Sequence, residues 1–491
     1  MKSLISIFFT ILITASIQAQ TGNVEYLPGS TVKISQLVGD YDRQFQTQTS
    51  NLTESRYRLI STDLGVPFRH NGRTYVLFGD SWGAPVGDAI AYTTDTNPED
   101  GIELTFITDG TGTYKPVQIP GISQEAFEVP MEGVSVGGNM YIYHTTDNSA
   151  AVTMGRSVVA VSEDDGQTFR YLYDLSQTHF INVSIVEVNL VEWPGFPLDS
   201  GSGLVLFGSG DYRQSDVRLA FQPAEQIEMP QSLRYYTGFN QAGMPLWSAN
   251  EDDSTPLFSQ PCVGELSVTY NPFLRKWLML YNGDPPRGIN FRTADAPWGP
   301  WSEPQLLFDP WLDNGYCHFM HVDWQFNQCD SVHDPGRENE WGGEYGPYQF
   351  EDLATGNDST TTIYFTLSTW NPYTVVLMKS TLKLLSVPNV VDAENPALPI
   401  EFFLKQNYPN PFNPTTEIRY GLMTPEFVTL RIFNILGEEI ITLVKKHQHA
   451  GTYSINWDGK DANGKPVTSG IYFYQIQAGE LTKVNKMSLL K

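Results

Sequence analysis

Basic side chains, cysteines and long apolar runs are all scarce in this sequence. Lys and Arg number 30 against 55 Asp and Glu, and the deficit is uneven. Residues 21–400 hold 19 basic and 47 acidic side chains, whereas residues 401–491 hold 10 and 8. So acidic a surface repels nucleic acid and anionic lipid and leaves neutral carbohydrate or a cation as the expected partner. The three cysteines, Cys262, Cys317 and Cys329, have no spacing that suits a zinc site. Beyond the first twenty residues no stretch is long and apolar enough for a transmembrane helix, so the mature chain is expected to carry no integral membrane segment. A phosphate loop, a dinucleotide fingerprint and a Ser-elbow motif are also missing.

What is present starts with a leader. Lys2 precedes the apolar run Leu4–Ile13, and Ile17-Gln18-Ala19 offers small-residue cleavage before Gln20. The run is short for a bilayer span and reads as a signal peptide over residues 1–19. Outside the cell two cysteines can oxidise; Cys317 with Cys329 would close a short loop, and the odd count leaves one thiol free. Residues 20–54 form a lead-in.

The remaining composition, 13% aromatic with 41 Gly and 32 Pro, favours β-structure rich in turns over helical bundles. One motif recurs, an apolar aromatic strand ending in small residues and usually an acid. It appears as Tyr75–Asp80, Tyr141–Asp147, Leu204–Asp211 and Trp277–Asp284, and a fifth copy, Ile363–Trp370, ends on an aromatic. The four acids are 67, 64 and 73 residues apart. Turns such as Asn71-Gly72 precede several copies, a strong hairpin signal. Five such units predict an all-β fold, a five-bladed β-propeller over residues 55–387; a β-sandwich with long loops is the competing architecture. Ser162-Glu163-Asp164-Asp165-Gly166-Gln167-Thr168-Phe169 resembles the Asp-box turn of propeller hydrolases, a structural element. Residues 388–400 read as a linker, and residues 401–491 as a small immunoglobulin-like β-sandwich.

Two acids of the first unit stand out. A two-residue turn at Asn71-Gly72 makes paired positions sum to 143, which sets Asp63 opposite Asp80 with Cβ atoms about 4.5–5.5 Å apart. Pro67 is a place where that register can bulge. Opposed like charges destabilise a hairpin and raise one pKa, which suits glycoside hydrolysis by a protonated acid beside a carboxylate. A cation site or turn-capping role is the alternative for both. Glu132, Glu265 and Asp284 hold comparable blade positions, with Gly133 and Gly264 allowing close ligand approach. Together with Arg292, they are candidate substrate-binding residues. Trp82, Trp370 and Tyr373 are candidate stacking platforms for sugar faces. Asp313, His318, His321 and Asp323 share one segment, but the two histidines are three apart, a spacing that matches no known zinc motif. No cofactor is required by this reading; a calcium ion on the propeller axis is compatible with it.

Two resemblances add to this. The middle is similar to a bacterial family catalogued as domain of unknown function 4185. The resemblance rests on Thr62-Asp63-Leu64-Gly65-Val66-Pro67-Phe68, Phe78-Gly79-Asp80-Ser81-Trp82 and the run Ser368–Met378. Some members of that family are endo-acting D-arabinanases with a five-bladed propeller, and the comparison places their catalytic acids in the first two motifs. The tail resembles the type A C-terminal sorting domain of the type IX secretion system of Bacteroidota. The matching runs are Gln406–Thr416, Phe433–Gly437, Trp457–Gly459, Ser469–Tyr472 and Lys486–Lys491. What these imply is an exported, cell-surface or secreted glycoside hydrolase acting on an arabinan-like furanoside polysaccharide, with the secretion machinery as a second partner. A noncatalytic carbohydrate-binding or adhesion propeller is the alternative.

Overall fold

The computed structural model describes residues 23–149, 153–260, 262–284, 286–322, 342–385, 402–407, 409–422, 426–448, 451–479 and 481–490. The expected signal peptide and linker, together with Asp323 and Cys329, lie outside them. Cys317 is disulfide-bonded and Cys262 is a free thiol. The chain divides into two compact units, Met1–Val387 and Pro388–Lys491. Among the described residues no helix is long and apolar enough to cross a membrane.

The described residues of the first unit are almost entirely β-structure, with one short α-helix, Thr53–Tyr57. Among them the strands form five antiparallel sheets of four to six strands and one small two-stranded ribbon. Four sheets start from hairpins: Leu59–His70 with Arg73–Gly83, Pro130–Val136 with Asn139–Thr146, Asn182–Asn189 with Ser202–Ser209, and Val263–Asn271 with Lys276–Gly283. In the fifth, Thr360–Thr369 lies between Glu344–Tyr345 and Thr374–Leu384. The amino-terminal strands Val24–Tyr26 and Val32–Gln36 complete that sheet by pairing with Thr374–Leu384. The five copies of the aromatic motif therefore each supply the second strand of one sheet.

These second strands are apolar without alternation because both faces are covered. Tyr75, Val76, Leu77 and Phe78 are consecutive and all buried. Tyr75 and Leu77 pack with Met140, Ile142 and Ala160 of the second sheet. Val76 and Phe78 pack with Tyr364, Val375 and Leu377 of the fifth. Three further shared cores join the second sheet to the third, the third to the fourth and the fourth to the fifth. The packing is thus cyclic. The Asp-box-like turn has a structural part in it. Asp164 accepts from the Thr168 N–H at 2.8 Å, and Phe169 is buried between the first two sheets.

The second unit pairs a three-stranded sheet, Phe403–Leu404, Thr416–Leu422 and Gly451–Trp457, with a four-stranded one built on Glu426–Asn434 and Gly470–Ala478. Ile418, Leu430, Trp457, Tyr474 and Met487 share one buried core.

Candidate active site

The first hairpin turns at Asn71 and Gly72, both at positive φ (46° and 80°), as a tight two-residue turn requires. The expected register holds from His70↔Arg73 to Val66↔Leu77 and then slips. Leu64 and Gly65 both take positive φ, 65° and 79°, and this bulge sets Asp63 opposite Gly79 rather than Asp80. The expected direct opposition of the two aspartates is thereby corrected, and the bulge sits at Leu64-Gly65, not at Pro67. A Cβ on Gly65 would come within 3.0 Å of Thr366 and Val375 in the fifth sheet, so close packing fixes the irregularity there. A second slip follows, between Asp63↔Gly79 and Ser61↔Trp82, and it leaves Asp80 as the extra residue at φ 42°. Thr62 closes this bulge by donating to the Gly79 carbonyl at 2.6 Å and meeting Ser81 Oγ at 2.7 Å.

The two bulges turn both aspartates into one cavity of about 410 Å³, which is also lined by Phe127, Glu265, Tyr345 and Trp370. Asp63 is 7% exposed. Tyr345 Oη donates to its Oδ2 at 2.9 Å, and the Tyr373 hydroxyl bonds the same carboxyl. Burial, and then the charge of Asp80, push the Asp63 carboxyl well above the usual range despite those hydroxyls. Among the described residues its Oδ1 has no hydrogen-bond partner. Asp80 is held differently. The Phe127 N–H reaches its Oδ1 and Oδ2 at 3.1 and 2.9 Å. Burial raises this carboxyl to about 7 against the pull of that N–H.

Glu265 lies in a register slip after Val263, buried, with Oε2 unpartnered among the described residues. Burial raises its pKa, and the Arg213 guanidinium opposes the rise. The cavity opens beside a larger groove of about 1170 Å³, which shares Asp80, Phe127 and Trp370 and adds Trp82 and Tyr373. Trp82 is 58% exposed there, and the Trp370 ring stands edge-on to Tyr373 at 5.8 Å.

The other sequence candidates lie elsewhere. Glu132 faces a separate cavity of about 380 Å³. It accepts from the N–H groups of Gly133 and Ile185 at 2.9 and 3.1 Å, and burial lifts it to about 8. Asp284 is exposed in the turn after its strand and lines neither aspartate-containing space. Arg292 is buried in the fourth sheet, where Tyr281, Gln260 and Ser302 accept its protons and Phe258 covers it. It faces protein groups, not the cavity. Asp313 caps the Asp309 backbone at 2.8 Å, His318 is exposed and His321 is buried. Among the described residues no three His, Cys, Asp or Glu side chains are placed to hold a metal ion.

Tyr212, Arg213 and Tyr345, which line the cavity, and Glu344, which interacts through charge with Arg213, were not singled out by the sequence. Tyr345 and Glu344 sit in Gly342-Gly343-Glu344-Tyr345-Gly346, and that glycine-flanked run was the available signal. Asp88, just before the third strand of the first sheet, meets His144 of the second sheet at 2.8 Å; His144 lies within the motif copy Tyr141–Asp147, but neither residue was singled out by the sequence.

A family model described as "Domain of unknown function (DUF4185)" matches residues 48–379, and one described as "FlgD Ig-like domain" matches residues 417–481. No curated protein matches the chain. Among solved structures, FlgD from P. aeruginosa is 24% identical over 15% of this chain, with a TM-score of 0.13; the match spans 58% of FlgD. The GH43_1 enzyme from Xanthomonas citri complexed with xylotriose is 13% identical over 66% of this chain and 87% of its own, at a TM-score of 0.37. The catalytic domain of the Coprinopsis cinerea GH62 α-L-arabinofuranosidase is 14% identical over 72% and 98%, at 0.34.

Proposed function

The chain belongs to the family described as domain of unknown function DUF4185, and we propose that this member is a glycoside hydrolase that uses Asp63 and Asp80 to cleave a furanoside-containing, arabinan-like polysaccharide. One observation carries the proposal: two carboxyl groups from adjacent strands share a cavity, and their environments differ. Asp63, the more deeply desolvated, has its carboxyl pushed well above the usual range and is the group that donates a proton to the leaving glycosidic oxygen. Asp80 is ionised in an appreciable fraction near its pKa of about 7. Its carboxylate attacks the anomeric carbon or takes the proton of the water that does so. The cleaved C–O bond leaves its electron pair on the oxygen that Asp63 protonates.

In this reading the five cyclically packed sheets are the blades of a β-propeller spanning 55–387, and the cavity lies where their first strands converge. Trp82, Trp370 and Tyr373 line the groove beyond the acids and offer faces for successive sugar rings. The furanoside rests on the resemblance of the motifs at 62–68, 78–82 and 368–378 to the arabinanases. The leader and the tail, taken as a type IX sorting domain over 401–491, direct the protein outside the cell, where such polymers lie.

The test is release of new reducing ends from arabinan or arabinogalactan. Retention of the glycan without release would instead favour a binding propeller.

A further inference from the structure

Asp80 is the one residue of its strand forced into a left-handed bulge, at φ 42°, and a non-glycine residue held there needs outside support. Asp88 and His144 supply that support. The Asp80 N–H donates to Asp88 Oδ1 at 3.0 Å, and Asp88 Oδ2 meets His144 Nε2 at 2.8 Å. His144 Nδ1 lies 2.6 Å from the Thr145 carbonyl. Asp88 is buried and His144 is 0% exposed. A carbonyl oxygen faces Nδ1 and a carboxyl oxygen faces Nε2, so the ring is held from both sides between Thr145 and Asp88.

The same strand also holds the other side of Asp80. The Val129 N–H donates to Thr145 Oγ1 at 2.9 Å, and the Thr145 N–H to the Val129 carbonyl at 3.0 Å. Glu128 is tied by the N–H groups of Glu125 and Asn148 at 2.7 and 2.9 Å. These contacts fix the loop whose Phe127 N–H clamps the Asp80 carboxyl. Backbone and carboxylate of Asp80 are thus both referred to His144-Thr145.

We propose that Asp88 and His144 are a buried positioning pair that sets the geometry and the charge of Asp80 without touching the substrate's reacting atoms. The proposal rests on the reading of Asp80 as the working carboxylate. The charged and titratable groups around Asp80 are Asp63, Asp88, Glu128, His144 and Tyr373, and Tyr114 faces Asp88. Asp88 pushes the Asp80 pKa up and His144 pulls it down. Removing each should therefore act in opposite directions, an effect that loss of packing alone does not produce.

The experiment uses the full chain with Asp88→Asn, His144→Gln and both together. The Asp80 carboxyl is followed by ¹³C NMR of aspartate-labelled protein, its signal identified by its loss in Asp80→Asn. The wild-type midpoint is expected at about 7. It rises in His144→Gln and falls in Asp88→Asn. The double variant falls between the two single variants, because the two removed groups act on Asp80 in opposite senses. On an accepted polysaccharide, kcat falls about 10²-fold in each single variant, as for a misplaced catalytic group, with KM nearly constant. Midpoints that stay put in folded variants, or that move the same way, overturn the proposal. If His144→Gln does not fold, the direction of the Asp88→Asn shift decides alone. The NMR titration needs no substrate, so absence of turnover in the wild type would count against the hydrolase and leave this reading to be judged by the midpoints.

Discussion

Asp63 stands opposite Gly79, and the space a side chain would fill at Gly79 is taken by the Asp63 carboxyl: a Cβ there would lie 2.9 Å from Asp63 Oδ1 and 2.6 Å from Val129 Cγ1. The missing side chain thus makes room for Val129 and for the carboxyl proposed as the proton donor. Gly79→Ala is expected to push Asp63 away from its Tyr345 hydroxyl and to lower kcat more than it raises KM. Overpacking of this kind costs about 1–3 kcal/mol, which thermal or urea unfolding would register.

Replacing either acid by its amide separates chemistry from folding. Asp63→Asn and Asp80→Asn are each expected to lower turnover by about 10²–10⁴-fold, the span of a lost general acid or base. Circular dichroism should show the β-structure intact. Near-wild-type activity in either variant would remove that residue from the mechanism.

Stability should respond to pH in the sense set by raised carboxyl pKa values. A group that holds its proton more tightly folded than unfolded stabilises the fold below its unfolded pKa of about 4, and that contribution is lost as pH rises toward the folded value. For Asp80 the window runs from about 4 to about 7, and for Asp63 it extends well upward. The slope is at most about 1.4 kcal/mol per pH unit for each group. Asp63 Oδ1 has no partner among the described residues, so an amide nitrogen is accommodated there. Asp63→Asn is therefore expected to melt at a higher temperature than the wild type at pH 8, with the difference shrinking toward pH 4.

The groove aromatics should act on binding. Trp82 and Trp370 line the groove beside Asp80, and loss of one stacked ring is worth on the order of 0.5–1.5 kcal/mol. Trp82→Ala and Trp370→Ala are expected to raise KM up to about tenfold on a long polysaccharide, with a smaller change in kcat. Steady-state kinetics on polymer and on short oligosaccharides would show it.

Removal of the second unit should cost location and not chemistry. A chain ending at Val387, where the first compact unit ends, is expected to keep its specific activity and to remain inside the producing cell. Fractionation of cells expressing both forms checks this.

Much of the fold was legible because both sheet faces are covered. Runs such as Tyr75–Phe78 and Trp277–Tyr281 are apolar throughout, and repeated five times they announced five sheets. The two aspartates were legible from the motifs that bear them. Their mutual geometry was not, since the Asn71-Gly72 turn sets the register only until a bulge intervenes. What places that bulge is the Gly65 contact with Thr366 and Val375, some three hundred residues away in sequence. Glu132 and Arg292 were misplaced for a related reason. Their local motifs match those of the site, but the strand position at which each projects leads to another cavity or to a buried protein contact.

The most direct measurement is chromatography of the products from arabinan and arabinogalactan incubated with the wild-type chain, Asp63→Asn and Asp80→Asn. If Asp63 and Asp80 carry out the hydrolysis, the wild type releases new oligosaccharides with free reducing ends and neither variant releases any above background. Wild-type chain that binds these glycans yet releases nothing, or a variant that releases as much as the wild type, would contradict that assignment.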